Sequence, residues 1–516
     1  MKTILQKIIA AVLLVSVIFT MPVKALAAEG SMGYEGGIST VNSQKSKVGT
    51  GEYYYSEMTF ITGVPILLTG SLTIKKQEKS GTVQSTYTYR LTSPDNKITL
   101  TRVLQLDTTV VTDANGQITE STNVRNLTIP SETIIVGNVP YTLSSYQFTR
   151  SMLTDPQPAI KYSAGEFKGT KVYLVNGNNA DTVTVTYTGE IYSYDQYWSA
   201  TQTQLVNVML ESKTGSTTPV TNWGGSVNLV LSSTRKLQMV YAENEPDQIS
   251  FDGGYRTVGW TESTLDYTAR LPEFDKNSKP TNIIKTYTGR HTEETAPQYA
   301  RLTVPDLKHL KGHSNEAVIS SLFGLGVIPG TGTDYNANKY VTRREFVVML
   351  INALKDIPED TDVRRATTTT STRSRTKVEE VSPFLDVAIE DPGYAQIKAA
   401  YDKGIVQGVG RSYFRPDAYI TNAEAIFMIV SSLGLQKLAP FPYGATAFPD
   451  NDAIPSFARN AASVASTLGI YAGDARGYFN ASSRITNNDS ATLLYNVIRY
   501  MGDELLKDYR DRMLLY

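Results

Sequence analysis

Polar and apolar residues alternate along the chain from about Gly36 to about Thr295, after which the period lengthens. In Asp181-Thr-Val-Thr-Val-Thr-Tyr-Thr188 small polar residues alternate with apolar ones. Leu100-Thr-Arg-Val-Leu-Gln-Leu106 and Lys236-Leu-Gln-Met-Val-Tyr241 read the same way. A period of two marks strands with one buried and one wet face. Asn115-Gly116, between two such runs, predicts a tight hairpin. Residues 28–300 are therefore expected to form an all-β antiparallel region, a sandwich or large twisted sheets, of one or two domains.

From about Val304 the apolar spacing becomes helical, and one order of landmarks occurs three times. Each copy has an aspartate (Asp306, Asp386, Asp450), a glycine pair four residues apart (Gly326 and Gly330, Gly404 and Gly408, Gly469 and Gly473) and an aromatic (Tyr335, Phe414, Phe479). Each then has a Thr-x-x-acid element: Thr342 with Glu345, Thr421 with Glu424, Thr486 with Asp489. Thr-x-x-acid is a capping box, in which the hydroxyl accepts from the third helical amide and the acid reaches back to the cap. Asp489, one methylene shorter, is expected to close its box less well. Each cap opens a helix with one apolar face. The faces are Val347, Leu350, Ile351 and Leu354; Ile426, Ile429, Val430 and Leu433; and Ala491, Leu494, Tyr495 and Ile498. The first glycine of each pair is placed to end a preceding helix in the left-handed conformation. The three aspartates are expected to cap the helices that follow them. One such unit cannot bury its own stripe, but three packed together can.

These landmarks resemble the S-layer homology (SLH) domain. Phe384-Leu-Asp386, Gly404-Ile-Val-Gln-Gly408, Phe414-Arg-Pro416 and Ile420-Thr-Asn-Ala-Glu424 carry the likeness most closely. Phe448-Pro-Asp450, Gly469-Ile-Tyr-Ala-Gly473, Phe479-Asn-Ala481 and Ile485-Thr-Asn-Asn-Asp489 follow it less well. In the first copy Val341-Thr-Arg-Arg-Glu345 is close, whereas Val304-Pro-Asp306 and Tyr335-Asn-Ala337 are loose. The resemblance divides the C-terminal region into repeat 1 (301–355), a Thr/Arg-rich linker (356–380), repeat 2 (381–437), repeat 3 (445–503) and a tail (504–516). It implies an all-α pseudo-threefold bundle. It also implies a cell-surface protein held noncovalently to the bacterial wall through a secondary cell-wall polymer, commonly one bearing pyruvylated N-acetylmannosamine. The remainder of the protein would then be an S-layer or S-layer-associated component, with self-assembly alongside surface-layer protein.

A pyruvate ketal carries a carboxylate. A helix start offers amides and a partial positive charge, and an arginine at its first position adds a planar fork. Arg343 stands in that position, while Asn422 and Asn487 replace it in the other copies. The polymer-binding set expected on this basis is Arg343, Thr342, Gly330, Gly408, Arg411, Asn422, Gly473, Arg476 and Asn487. A structural set beside it is Glu345, Thr421, Glu424, Thr486, Asp489, Asp306, Asp386 and Asp450. The alternative for Arg343 is a solvated helix-start residue.

Composition sharpens the picture. Of 516 residues none is cysteine and three are histidine, with 49 basic against 50 acidic residues. That excludes disulfides, thiol catalysis and Cys-ligated zinc, and argues against a globally basic nucleic-acid binder. Lys2 and Lys7 flank the start of an apolar run from Ile8 to Met21, followed by Ala25-Leu26-Ala27. A charged head, a short apolar stretch and a small-x-small site predict a secretory signal peptide over 1–27. No transmembrane anchor is expected in the mature chain, which would be exported.

Other chemistry is sparse. His309 and His313 have i, i+4 spacing without a His-Glu-x-x-His motif. Glu243, Glu245, Asp247 and Asp252 read either as a calcium loop or as a solvated acidic loop. Trp198 with Tyr192, Tyr194 and Tyr197 reads either as a sugar-stacking surface or as the lining of a sheet face. The linker, with Arg364, Arg365, Arg373, Arg375 and Lys377, is either solvated or an added contact to anionic polymer. No cofactor and no metal are expected, and no catalytic constellation stands out. The alternative function is a wall-anchored glycan-binding protein or glycan-active enzyme, its activity in the β-rich region.

Overall fold

The computed structural model describes residues 36–41, 50–216, 220–242, 254–277, 279–357, 363–364, 380–410, 412–441 and 444–509. The signal-peptide segment, the acidic cluster at 243–252, Arg411 and nearly all of the Thr/Arg linker lie outside them.

The N-terminal region is one antiparallel sheet. Its strands are β1 (Gly37–Val41), β2 (Thr50–Thr59), β3 (Ile66–Lys79), β4 (Thr82–Thr92), β5 (Ile98–Thr112), β6 (Ile118–Val124), β7 (Ser131–Val136) and β8 (Val139–Pro156). They continue through β9 (Lys161–Val175), β10 (Asn178–Asp195), β11 (Ser199–Thr214), β12 (Thr221–Ala242), β13 (Gly254–Phe274), β14 (Pro280–Glu294) and β15 (Gln298–Arg301). Neighbours in sequence are mostly neighbours in space, with β7 lying beside β5 and β8, and β15 continuing the edge along β13. The sheet rolls until its ends meet. Ser263 on β13 donates to the Ser39 carbonyl on β1, and Ser56 on β2 donates to Glu293 on β14. The alternation seen in sequence sets the inner face, where Leu100, Leu104 and Leu106 are buried with Val183, Val185 and Tyr187. Within the linker Val363–Arg364 add a short parallel strand, β16, to β3.

Arg102 also points inward, which the period of two dictates. It forks onto Glu57 at 3.0 and 3.1 Å and reaches Glu132 at 3.0 Å, while Lys171 reaches Glu132 at 2.9 Å. All four side chains are buried. Two cations facing two carboxylates leave no net charge in the low-dielectric interior, the condition for tolerating them there.

The C-terminal region carries in order the helices α1 (Glu316–Gly324), α2 (Arg343–Leu354), α3 (Tyr394–Asp402), α4 (Asn422–Leu433), α5 (Ser456–Thr467) and α6 (Asn487–Arg499), with α2 packed on α3, α4 on α5 and α6 on α1. Gly326, Gly404 and Gly469 follow α1, α3 and α5 at φ of 69°, 72° and 68°, the left-handed end that a Cβ disfavours. A π-turn (Tyr500–Glu504) and a short helix α7 (Leu505–Asp508) extend α6.

The C-terminal ends of α2 and α4 and the turn after α6 sit on the sheet region. Trp198 Nε1 donates to the Ala353 carbonyl at 2.9 Å. The Ala159 amide donates to the Ser432 carbonyl at 2.9 Å, and the Tyr162 hydroxyl to the Leu433 carbonyl at 3.3 Å. Gln196 Nε2 and Ser199 Oγ both donate to the Met501 carbonyl, at 2.6 and 2.7 Å. The last carbonyls of a helix have no partner within it, so sheet residues supply what the helices lack. Trp198, Tyr194, Ile160 and Leu237 accordingly belong to the same apolar cluster as the helix stripes.

Candidate polymer-binding surface

The N-terminal ends of α2, α4 and α6 meet at the opposite end of the helical region. All three capping boxes are closed. Thr342, Thr421 and Thr486 accept from the amides of Glu345, Glu424 and Asp489, and each acid accepts from its cap amide. Asp489 does so at 2.8 Å against 3.0 Å for Glu424, so the shorter side chain closes its box fully, contrary to expectation.

The three starts are joined in a closed ring. The Val341 amide donates to the Ile485 carbonyl, Ile485 to Ile420, and Ile420 to Val341, at 3.0, 3.3 and 3.0 Å. A second layer repeats the order. The first two helical amides of α2 (Arg343, Arg344) donate to the Ala418 and Pro416 carbonyls. Those of α4 (Asn422, Ala423) donate to Ser483 and Ala481, and those of α6 (Asn487, Asn488) to Lys339 and Ala337. Each unit thus takes the helix-start amides of its neighbour. With the third amide held by the threonine, these donors are spoken for, so the expected free amides at the helix starts are absent.

The first helical side chain follows the same logic. Arg343 Nε donates to the Phe414 carbonyl at 3.0 Å, and Nη1 pairs with Glu424 at 2.7 Å. The guanidinium lies over the Phe414 ring at 5.2 Å, and the residue is only 6% exposed. Burial lowers its pKa from the usual value, and Glu424 opposes that shift. Asn422 Nδ2 donates to the Phe479 carbonyl at 2.6 Å, and Asn487 Nδ2 to the Asn336 carbonyl at 2.8 Å. Arg343, Asn422 and Asn487 are therefore equivalent struts between units. Neither a carboxylate-binding fork nor a solvated residue describes Arg343.

Asp386 and Asp450 do not cap the helices that follow. Asp386 accepts from the amides of Phe414 and Arg415, both at 2.7 Å, and Asp450 from those of Phe479 and Asn480, both at 2.8 Å. They hold the aromatic turns, while Gly393 and Pro455 precede α3 and α5. Asp306 bonds locally to the Lys308 amide and ammonium, and Asn315 precedes α1.

Gly330, Gly408 and Gly473 all have positive φ, at 106°, 79° and 90°. A Cβ at Gly408 or Gly473 would meet backbone oxygen at about 3.0 Å, whereas Gly330 opens onto free space. Arg476 is exposed, lies over Tyr478 at 5.3 Å and approaches Asp474 at 3.6 Å. Arg415 lies outside the expected set. It holds φ of 59°, is exposed, and sits in the aromatic turn beside the Arg343–Glu424 pair. Its counterpart Asn480 has φ of 56°. An arginine where asparagine is easier to place was the available signal.

The other candidates resolve simply. Trp198 is 1% exposed at the sheet–helix junction, so it is no sugar platform. His309 Nε2 faces the Tyr335 carbonyl, and His313 Nδ1 accepts from the Asn315 amide. No group of three or more metal-ligating side chains occurs among the described residues, nor any helix long and apolar enough to cross a membrane.

Residues 383–426 match the family model of the S-layer homology domain, and the chain carries that domain. It is 26% identical over 197 residues to the surface-layer 125 kDa protein of Lysinibacillus sphaericus, covering 37% of this chain and 15% of that protein. It is 30% identical over 197 residues to an amylopullulanase of Thermoanaerobacterium thermosulfurigenes, covering 38% of this chain and 10% of that one. A third relative is the exoglucanase XynX of Acetivibrio thermocellus, 24% identical over 261 residues, with coverage of 47% and 22%. The chain spans less than a quarter of each relative's length. With the domain match, the surface-layer relatives place it among secreted proteins of the bacterial cell wall and surface.

Proposed function

We propose that residues 301–355, 381–437 and 445–503 are three tandem SLH repeats forming a pseudo-threefold bundle. This bundle anchors the protein to an acidic secondary cell-wall polymer of the pyruvylated N-acetylmannosamine type. The observation that carries the reading is the closed ring of amide–carbonyl bonds through Val341, Ile420 and Ile485, with its repeated second layer. Three units exchanging equivalent bonds place a glycine loop and an aromatic turn at each of three junctions, which are the clefts of this reading. Polymer contacts fall to Arg415, Arg476 and the loops at Gly330, Gly408 and Gly473, while Thr342 and Asn487 hold the helix starts that frame them. Arg343 and Asn422 position the clefts from within. Arg411, beside Gly408, joins the set on sequence alone. The rolled sheet is the outward part of an S-layer or S-layer-associated protein.

Cosedimentation of the full chain with purified walls, before and after chemical removal of the secondary polymer, tests the anchoring. Binding to intact walls and loss with stripped walls is expected, whereas equal pelleting with both defeats the reading. A second reading, a wall-anchored glycan-active protein, draws on the names of the amylopullulanase and exoglucanase relatives. Release of reducing ends from a polysaccharide by the full chain would favour it.

A further inference from the structure

Two residues before each capping threonine, the chain carries Tyr340, Tyr419 and Arg484. The ring brings these positions together, because Tyr340 bridges to Thr486, Tyr419 to Thr342 and Arg484 to Thr421. The tyrosine ring centroids lie 5.7 Å apart at 59°, and the Arg484 guanidinium lies 5.0 Å from the centre of the Tyr419 ring. Both tyrosines are 46% exposed, and Arg484 is exposed as well. Among the described residues no carboxylate pairs with Arg484, and neither phenol hydroxyl has a hydrogen-bond partner. The sheet occupies the other end of the bundle, about 18 Å away for a helix of twelve residues such as α2. The triad is therefore at the free end.

We propose that Tyr340, Tyr419 and Arg484 form an apical saccharide site for a carboxylate-bearing sugar, separate from the three clefts. An aromatic pair with an unpaired cation on a solvated surface is the composition of a binding patch. Tilted rings offer an open angle against which the C–H face of a pyranose packs. The guanidinium supplies charge-assisted bonds that a neutral sugar cannot use fully. In the equivalent slot two copies carry tyrosine and one carries arginine, so the site exists once per chain and binds in one orientation. The proposal rests on the polymer reading above.

The test compares the full-length wild type, R484Q, Y340A/Y419A and the cleft variant R415Q. Pelleting with intact and stripped walls is measured, as is calorimetric titration with the methyl glycoside of 4,6-pyruvylated N-acetylmannosamine and with N-acetylmannosamine itself. R484Q is expected to weaken wall binding roughly five- to tenfold through the loss of one exposed charge-assisted contact, and Y340A/Y419A by a similar factor through lost aromatic packing. The thermal melt of R484Q should remain at the wild-type position, since that side chain is exposed. R484Q should also reduce the heat with the acidic sugar while leaving that with the neutral one. Wild-type pelleting by R484Q and Y340A/Y419A, with R415Q weakened, overturns the apical site and leaves the polymer reading standing. Equal pelleting of the wild type with stripped walls overturns the polymer reading. In that case acidic-sugar heat lost in R484Q still supports the apical site, and its retention overturns it.

Discussion

Replacing Trp198 tests whether the sheet and the helices are one cooperative body. The indole is 1% exposed, meets Tyr197 edge-on with centroids 5.0 Å apart and donates to the Ala353 carbonyl at 2.9 Å. Removing a buried tryptophan down to alanine costs about 3–5 kcal/mol through lost transfer energy and the cavity left behind. Trp198→Phe keeps most of the apolar volume and removes the donor, so it isolates the orphaned helix-end carbonyl, at about 1–3 kcal/mol. For a single body of more than 400 residues each kcal/mol moves the melting temperature by about 1 °C. Calorimetric scans of the full chain should therefore show Trp198→Phe lowering the transition by about 1–3 °C. Trp198→Ala should lower it further and split a helical transition from the sheet's. A Trp198→Ala scan superimposable on the wild type would show that the junction carries no coupling, and the reasoning would fail.

Two further outcomes follow from buried charges. Burial pushes the Glu132 carboxyl up, but Arg102 and Lys171 outweigh it and hold its pKa at about 2. A depressed native pKa gives stability that is full above the unfolded value near ~4.5 and is lost as pH falls toward 2. Urea unfolding should accordingly show stability falling through that window, and Glu132→Gln should flatten the dependence. The same slope in the variant would refute the assignment. Arg343→Ala removes the donor to the Phe414 carbonyl and the partner of Glu424, and should cost about 1–3 kcal/mol with no wall present. An unchanged melt would mean that Arg343 is not a strut.

Local chemistry was legible along the chain, and distant pairing was not. The capping boxes, the left-handed glycines and the apolar stripes each lie within a few residues, so spacing alone specifies them. The role of Arg343 depends on Glu424 and Phe414, about eighty and seventy residues away, which are brought to it only when the ring closes. Asp386 and Asp450 stand ahead of helices, where caps are common, yet turns almost thirty residues later take their oxygens. Arg102 was readable as inward from its alternation with Leu100 and Leu104, but Glu57 and Glu132, which make that position tolerable, come from other strands. The aromatic cluster around Trp198 gave no sign of its covering, because the helices that bury it begin more than a hundred residues further on.

Seating three helix ends on the rolled sheet has a mechanical consequence. A protein gripping a wall at one end feels drag at the other. A slack tether would convert that drag into stretching of a single strand of peptide. Here the load path runs through contacts at Ala353, Ser432 and Met501, spread around the bundle. Sideways pull is met as tilt against a tripod. The outer portion keeps a fixed azimuth relative to whatever the far end holds, so neighbouring molecules on one wall would present the same faces to each other.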